Sequence, residues 1–185
     1  VSFKYYSHSN NEVYDIGQSL EFINDMTLGN LITPEEFSIS TTVDIAIDFS
    51  SGWSWFSINV VGDDMSINGV LSQTGAGGDY IKSQGGYADF YPGFGWGGTL
   101  ADIDPKQGYK LRLADSSSLS YTGMPIDPSA NPIDLSAGWN WIGYLPSSVL
   151  DINFALNVGE GGDYIKGQGG YADFYAGFGW GGTLA

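Results

Sequence analysis

Two stretches of this chain, residues 77–101 and 161–185, are nearly identical. They are GGDYIKSQGGYADFYPGFGWGGTLA and GGDYIKGQGGYADFYAGFGWGGTLA, so 23 of 25 positions match. Only Ser83 against Gly167 and Pro92 against Ala176 differ. Self-similarity at a fixed offset is typical of repeated units that bury apolar surface against their neighbours. The sequence therefore predicts two similar modules packed together.

Alternating apolar residues predict short strands between the glycines. Val43, Ile45, Ile47 and Phe49 alternate with Asp or Ala, and YKLRL at 109–113 alternates in the same way, which is the period of a half-buried strand. The 28 glycines and many aromatic residues suit twisted strands joined by tight turns. The predicted fold class is mostly β. It comprises two repeated small antiparallel β-sheet or partly open barrel modules, each with one short helix, preceded by a β-hairpin segment.

A second pair of landmarks is GWSW at 52–55 and GWNW at 138–141. Trp53 and Trp55 lie on one face of the predicted strand and Phe56 on the other, so both faces are apolar. We therefore expect a buried, central strand close to the contact between the modules. The modules themselves are expected to be related by a pseudo-twofold axis or by a simple translation.

A short helix of two turns is predicted after each tryptophan segment. Apolar residues recur there at the helical i, i+4 spacing, preceded by a residue that favours the N-cap. In the two copies these are Ile67 and Leu71 with the cap Ser66, and Ile152 and Leu156 with the cap Asp151. The near-identical block then predicts two short strands, DYIKSQ and YADFY, joined at Gly85 and Gly86.

Three segments follow from these landmarks. Residues 1–38 form a β-hairpin and a connection, either the end of a preceding domain or an extra sheet edge. Residues 39–124 form the first module and residues 125–185 the second. The first copy continues past Ala101 into further strand-like sequence, whereas the second copy stops at Ala185. We therefore expect a fragment whose second module is truncated at its C-terminal end, with completion by residues 1–22 as an open alternative.

Charge and composition limit the classes of partner that this protein can bind. With 21 Asp and Glu against 6 Lys and Arg, the formal net charge is −15, which repels nucleic acid and anionic membrane surfaces. The sequence has no run of about 18 apolar residues, so membrane insertion by a helix is not predicted. There is no cysteine, so stability must come from packing or from bound cations. An acidic, lysine-poor composition is compatible with an extracellular setting.

The repeated block supplies the candidate ligand site. Trp and Tyr rings can stack against sugars while Asp, Gln and Lys bind hydroxyl groups. The same residues have an architectural interpretation, because aromatic rings cover the backbone beside glycines and Asp or Gln satisfy turn amides. The candidate residues are Asp79, Lys82, Gln84, Asp89, Tyr91 and Trp96 in the first copy, and Asp163, Lys166, Gln168, Asp173, Tyr175 and Trp180 in the second.

No cofactor is predicted, although carboxylates could hold a structural calcium ion. Calcium prefers oxygen ligands, and the carboxylates in suitable turns are Asp63, Asp64, Asp102, Asp104, Asp127 and Asp134. None follows the EF-hand spacing. Exposed, solvated carboxylates are the alternative explanation.

Catalysis finds little support in the sequence. His8 is the only histidine, so a catalytic triad or a histidine-based zinc site would depend on one residue in the opening hairpin. Asp79 with Asp89 formally supplies the two carboxyl groups of a glycosidase, but such a pair is not specific in a chain with this many acids. We predict that the protein is not an enzyme.

The landmarks together resemble a known type of repeat. GWSW and GWNWIGYLP, each followed by YADFY and GWGGTL, resemble tandem repeats of large secreted proteins from marine and Bacteroidetes-type bacteria. The resemblance covers about residues 40 to 185. It implies a bacterial, secreted or cell-surface multidomain protein, sometimes with adhesion or carbohydrate-active domains, and it transfers no catalytic residues.

Two functional hypotheses remain. The first is a noncatalytic extracellular repeat module that serves as a spacer or adhesion unit, with other domains of the same parent protein as its partners. The alternative is a carbohydrate-binding module that stacks a polysaccharide or cell-surface glycan on Trp96 and Trp180.

Overall fold

The computed structural model describes residues 2–8, 11–19, 21, 23–27, 29–30, 32, 34–35, 37 and 42–184. The chain divides into two compact units, Val1–Val43 and Asp44–Ala185. The boundary lies close to the predicted start of the first module at residue 39. Both repeats belong to the second unit. The protein is mostly β, as predicted.

The first unit contains the predicted hairpin. Strands β1 (Ser2–Ser7) and β2 (Glu12–Ser19) pair antiparallel, with Tyr5 opposite Tyr14. Asn11 begins the return with a φ of 53°, in the left-handed region that Asn tolerates better than most residues. Both strands are therefore already paired with each other.

Eleven strands and two helices are formed by residues 43–184. The strands of the first module are β3 (Val43–Phe49), β4 (Gly52–Phe56), β5 (Val60–Val61), β6 (Tyr80–Lys82), β7 (Tyr87–Tyr91), β8 (Gly95–Gly98), β9 (Tyr109–Leu113) and β10 (Ser117–Pro125). Those of the second module are β11 (Tyr164–Lys166), β12 (Tyr171–Tyr175) and β13 (Gly179–Gly182). The helices are α1 (Ile67–Val70) and α2 (Ile152–Ala155).

Strand β9 lies between two other strands in the main sheet. The order of this five-stranded sheet is β4-β9-β6-β7-β8, and every neighbouring pair is antiparallel. Leu111 of β9 faces Ser54 on one side and Ile81 on the other. Strands β3, β10 and β5 form a separate three-stranded sheet, and the described strands close no barrel.

The core of the first module lies under one face of the main sheet. Tyr109, Leu111 and Leu113 of β9 point into it and are almost fully buried. Ile45 and Ile47 of β3 pack against the same core, as their alternation predicted. The intervening Lys110 and Arg112 point to the opposite face, because successive side chains of a strand alternate.

The tryptophan segments differ from their prediction. Strand β4 is an edge strand of the sheet, and Trp53 and Trp139 are 43% and 66% exposed. Only Phe56 of β4 is buried. The prediction of a buried, central strand was wrong because the tryptophans point away from the core, onto the face that carries Lys110.

The helices begin at the predicted caps but are shorter than expected. The Ser66 hydroxyl accepts a hydrogen bond from the Gly69 amide at 3.0 Å, and the Asp151 carboxylate accepts one from Asn153 at 2.9 Å. Each helix has only four residues. Among the residues described, no helix is long and apolar enough to cross a membrane.

A helical asparagine fastens each helix to the last strand of its block. The Asn68 amide accepts a hydrogen bond from the Trp96 backbone N–H at 2.8 Å and donates one to the Trp96 carbonyl at 2.9 Å. Asn153 makes the same two bonds to Trp180 at 2.7 and 3.2 Å. One side-chain amide thus replaces a neighbouring strand.

The second module repeats only part of this architecture. Strands β11, β12 and β13 pair antiparallel in the same register as β6, β7 and β8. Its buried cluster consists of Ile152, Ala172 and Trp180, against fifteen residues in the first module. Ile165 is only partly buried, whereas the equivalent Ile81 is fully buried.

We expect this difference to appear in stability. Ile81→Ala should lower the free energy of unfolding by about 2 to 5 kcal/mol, because it opens a cavity in a closed core. The matched variant Ile165→Ala should cost clearly less, because its surroundings are already open to solvent. Chemical denaturation followed by tryptophan fluorescence measures both, and equal losses would contradict the difference in burial.

Alkaline pH should destabilise the folded protein through Tyr109. Burial raises the pKa of this phenol from 10.0 to about 12, with a smaller opposing effect from its hydrogen bond to Asp104. Above pH 10 the unfolded chain releases a proton that the folded protein retains, so this contribution to stability is lost as the pH rises towards 12.

Denaturation at about pH 8 and about pH 11 tests this, with Tyr109→Phe as the matched control. The wild-type protein should lose about 1 kcal/mol more than the variant between the two conditions. Parallel losses in both proteins would show that Tyr109 is not the group responsible.

Candidate functional site

The outer face of the main sheet, opposite the core, carries aromatic and cationic side chains. Across the strands, Trp53 lies opposite Arg112, which lies opposite Tyr80. One step along, Trp55 lies opposite Lys110, which lies opposite Lys82. These six residues lie on one face because they occupy alternate positions of three neighbouring strands.

A glutamine from the first module binds the tryptophan segment of the second. The Gln84 side chain donates a hydrogen bond to the Trp139 carbonyl and accepts one from the Trp141 backbone N–H, both at 2.7 Å. The amide therefore pairs with an extended segment as a neighbouring strand would. The turn after Asp104 extends this pairing, because Gly108 N–H donates to the Trp141 carbonyl at 3.0 Å and Gly143 N–H to Lys106 at 2.8 Å.

The second module returns the same contact. The Gln168 side chain donates to the Trp53 carbonyl at 2.8 Å and accepts from the Trp55 backbone N–H at 2.6 Å. We call these four hydrogen bonds the glutamine clasp. Because each module gives the same residue and receives it on the same segment, the relation is that of a pseudo-twofold axis. A simple translation would not make the contact reciprocal.

Lys110 lies between tryptophans of both modules. Its ammonium nitrogen is 3.8 Å from the ring centre of Trp55 and 4.4 Å from that of Trp141, within the range of a cation–π interaction. Lys82 approaches Trp53 and Trp141 at 5.4 and 5.8 Å. Desolvation, and then the charges of Lys82 and Lys166, lower the pKa of Lys110. The site thus concentrates positive charge in an acidic protein.

The two candidate glutamines, Gln84 and Gln168, therefore hold the modules together. Of the candidate lysines, Lys82 contributes to the same contact and Lys166 is exposed beside it. The sequence left these four residues open to a ligand-binding or an architectural role, and it contained no feature that linked the glutamines to the tryptophan segments.

The candidate aspartates Asp79 and Asp163 close turns. Asp79 is buried and accepts hydrogen bonds from the amides of Ala76 and Ala114 at 2.7 and 2.8 Å. Asp163 is exposed and accepts one from Glu160 at 2.8 Å. Asp89 and Asp173 are partly buried on β7 and β12.

Trp96 and Trp180 lie in the two cores. They are 5% and 9% exposed, and each ring packs edge-on against a phenylalanine, Phe90 or Phe174, at 5.3 Å between centres. The Trp180 indole N–H donates to the Leu156 and Val158 carbonyls, both at 3.0 Å. Neither ring presents an open face to a sugar in this arrangement.

Exposed aromatic rows lie instead on the outer faces. In the first module Trp53 meets Tyr80 edge-on at 6.1 Å, and Tyr80 stacks on Tyr87 at 6.0 Å. The second module repeats the row with Trp139, Tyr164 and Tyr171 at 6.0 and 5.9 Å. Of the remaining candidates, Tyr91 and Tyr175 are 52% and 55% exposed. Strand alternation around the buried Ile81 was the signal that could have placed Tyr80 on this face.

The carboxylates considered for calcium are dispersed. All six are exposed, and no group of three potential metal-ligating side chains occurs among the residues that the structure describes. Hydrogen bonds from Ser66 lower the pKa of Asp64, and hydrogen bonds from Ser129 lower that of Asp127. Both carboxylates thus accept hydrogen bonds from donors within their own turns. His8 is exposed.

Comparisons with protein-family models, with curated proteins and with solved structures give no match. What the outer faces and the glutamine clasp do is therefore inferred from their own residues and geometry.

The glutamine clasp can be tested with a substitution that removes one donor. Gln84→Glu keeps the side-chain length and can accept from Trp141, but an ionised carboxylate cannot donate to the Trp139 carbonyl. We expect a loss of about 1 kcal/mol in the free energy of unfolding, and a similar loss for Gln168→Glu.

The double variant decides whether the clasp is one unit. Because both glutamines join the same two modules, their effects should be coupled. The loss of stability in the double variant should therefore differ from the sum of the losses in the single variants. Thr99→Ser, on the same module but outside the clasp, is the control. Single variants as stable as the wild type would show that the clasp does not stabilise the fold.

Proposed function

We propose that this protein is a noncatalytic extracellular repeat module, used as a spacer or adhesion unit of a larger secreted or cell-surface protein. The observation that carries the proposal is the glutamine clasp, in which Gln84 and Gln168 join the two repeats. These polar residues recur in both copies, and their side chains thereby make structural contacts between the modules. A spacer needs such contacts because its task is to keep its shape between other domains.

The recurrent residues of the block support the same interpretation. Asp79 and Asp163 satisfy turn amides, and Trp96 and Trp180 fill the two cores. The near-identity of the copies then follows from the structural roles that these residues have in both. The net charge of −15 supports solubility outside the cell.

Two of the acidic side chains are unsuited to acid catalysis. A general acid needs a pKa near the working pH, whereas hydrogen bonds hold the pKa values of Asp64 and Asp127 below the ordinary value of a carboxyl group. The only histidine, His8, is an exposed residue in the opening hairpin. The resemblance to secreted bacterial repeat proteins points to other domains of the same parent protein as partners.

The exposed aromatic rows favour carbohydrate binding as a second candidate. Trp139 is 66% exposed and continues into Tyr164 and Tyr171, and aromatic rings of this kind can stack on the apolar faces of sugars. The ligand would be a polysaccharide or a cell-surface glycan lying across the outer face. In this candidate function the exposed rows contact the sugar, in place of the buried Trp96 and Trp180.

A glycan array with the full chain separates the two candidates. The spacer hypothesis predicts no saturable binding to any glycan and no turnover on a broad panel of chromogenic glycosides. The carbohydrate hypothesis predicts binding that Trp139→Ala reduces at least tenfold. Phe178→Ala is the matched control, because Phe178 is 92% exposed but lies outside the rows.

A further inference from the structure

The first module shows what a complete sheet requires. Strand β9 lies between β4 and β6 and pairs with both. Its register places Arg112 between Trp53 and Tyr80, whose rings are 6.1 Å apart. Its apolar side chains, Tyr109, Leu111 and Leu113, are 2%, 0% and 3% exposed.

The second module contains a segment and a strand that correspond to the two neighbours of β9, but no counterpart of β9 among residues 42–184. Residues 138–142 correspond to β4, and β11 corresponds to β6. Strand β11 pairs only with β12 in the described part of the chain. We call the space between residues 138–142 and β11 the strand gap.

Both edges that border the strand gap carry unpaired backbone groups. Bonds from Gly167 to Gly170 and from Phe174 to Asp163 face β12, so Tyr164 and Lys166 direct their backbone groups to the gap. On the other side, Trp139, Trp141 and Gly143 bond on one edge to Gln84 and to the turn at 106–108. Asn140 therefore directs its backbone groups to the opposite edge, where the described residues supply no partner.

Ring contacts show that the two borders are held one strand apart. In the first module Trp53 and Tyr80 meet across β9 at 6.1 Å and 86°. In the second, Trp139 and Tyr164 meet across the gap at 6.0 Å and 88°. The rings of the second module thus lie as they do across β9, which favours room for a single strand between the two borders.

The groups that bind β9 are also repeated. Asp79 accepts from the Ala114 amide just after β9, and the Gly78 carbonyl accepts from the Arg112 guanidinium at 3.0 Å. Their counterparts are Asp163 and Gly162. Among the described residues, Asp163 is bonded through one carboxylate oxygen only, to Glu160. The partly buried Ile165 lies where Ile81 contacts the apolar side chains of β9.

We propose that the strand gap binds one extended polypeptide segment of the β9 type, supplied from outside residues 1–185, as an antiparallel strand between residues 138–142 and β11. The segment has apolar residues at three alternate positions, which fill the small core of the second module. It has a basic residue opposite Trp139 and Tyr164, where the ring of Trp139 and the carbonyl of Gly162 receive it. This is β-strand addition, in which backbone hydrogen bonds provide affinity and alternate side chains provide specificity.

Among the described residues, the strands β1, β2 and β9 fit the gap poorly. The occupant needs two free edges, but β1 and β2 already pair with each other and β9 is enclosed in its own sheet. A second copy would have to unfold its first module to donate β9.

A synthetic peptide tests the proposal with the full chain. The peptide PKQGYKLRLADS reproduces residues 105–116 and carries a fluorophore at its N-terminus. We expect saturable one-to-one binding by fluorescence anisotropy. Methylation of the peptide nitrogen at the position of Arg112 should weaken binding at least tenfold, because that N–H faces β11. No saturable binding, or equal binding of the methylated peptide, would overturn the proposal.

Two variants of the protein locate the peptide. Lys166→Pro removes the backbone N–H at the gap edge, at a position where an edge strand tolerates proline, and should weaken binding at least tenfold. Lys166→Ala keeps the N–H and should bind like the wild type. Undiminished binding by folded Lys166→Pro would place the peptide elsewhere and overturn the proposal, and if this variant does not fold, the methylated peptide decides. A wild-type dimer in sedimentation that competes with the peptide would assign the gap to a second copy instead.

Discussion

The exchange of glutamine side chains between the repeats is the contact on which the second unit depends. An extended segment at a sheet edge exposes backbone N–H and carbonyl groups, and these groups need partners when other residues cover them. Gln84 and Gln168 satisfy two such groups each, on the segments at 139–141 and 53–55. Because a side-chain amide carries a donor nitrogen and an acceptor oxygen at the right separation, it caps an edge without adding a strand.

This contact determines what the tryptophans can do. With their backbone held by the glutamines, Trp55 and Trp141 enclose the ammonium group of Lys110. The outer faces of the two modules therefore meet at their aromatic and cationic residues, and the more distant rings, Trp139 and Tyr171 among them, stay exposed. The asparagines of the helices use the same device inside each module, so side-chain amides replace strand pairing at two levels of the fold.

Local pattern was enough to predict the parts whose partners are close in the chain. The alternation of YKLRL matches β9, and the caps Ser66 and Asp151 begin their helices. The opening hairpin also forms between β1 and β2, as the local sequence predicted. Trp53, Trp96 and Gln84 could not be placed in this way, because their partners are far away in sequence. A tryptophan is large and apolar whether it fills a core or covers an outer face. Which of the two it does depends on the strands beside it.

The sequence by itself determined the repeat, the mostly β class and the two-residue period of its strands, since these follow from side-chain alternation and from glycine at the turns. Only the tertiary structure decided that the repeats face each other about a pseudo-twofold axis, because reciprocity is a relation between distant residues. It also located the place where a counterpart of β9 is missing among the described residues, between residues 138–142 and β11. Two nearly identical blocks thus differ in burial at Ile81 and Ile165, since the same residues have a strand beside them in one module and a gap in the other.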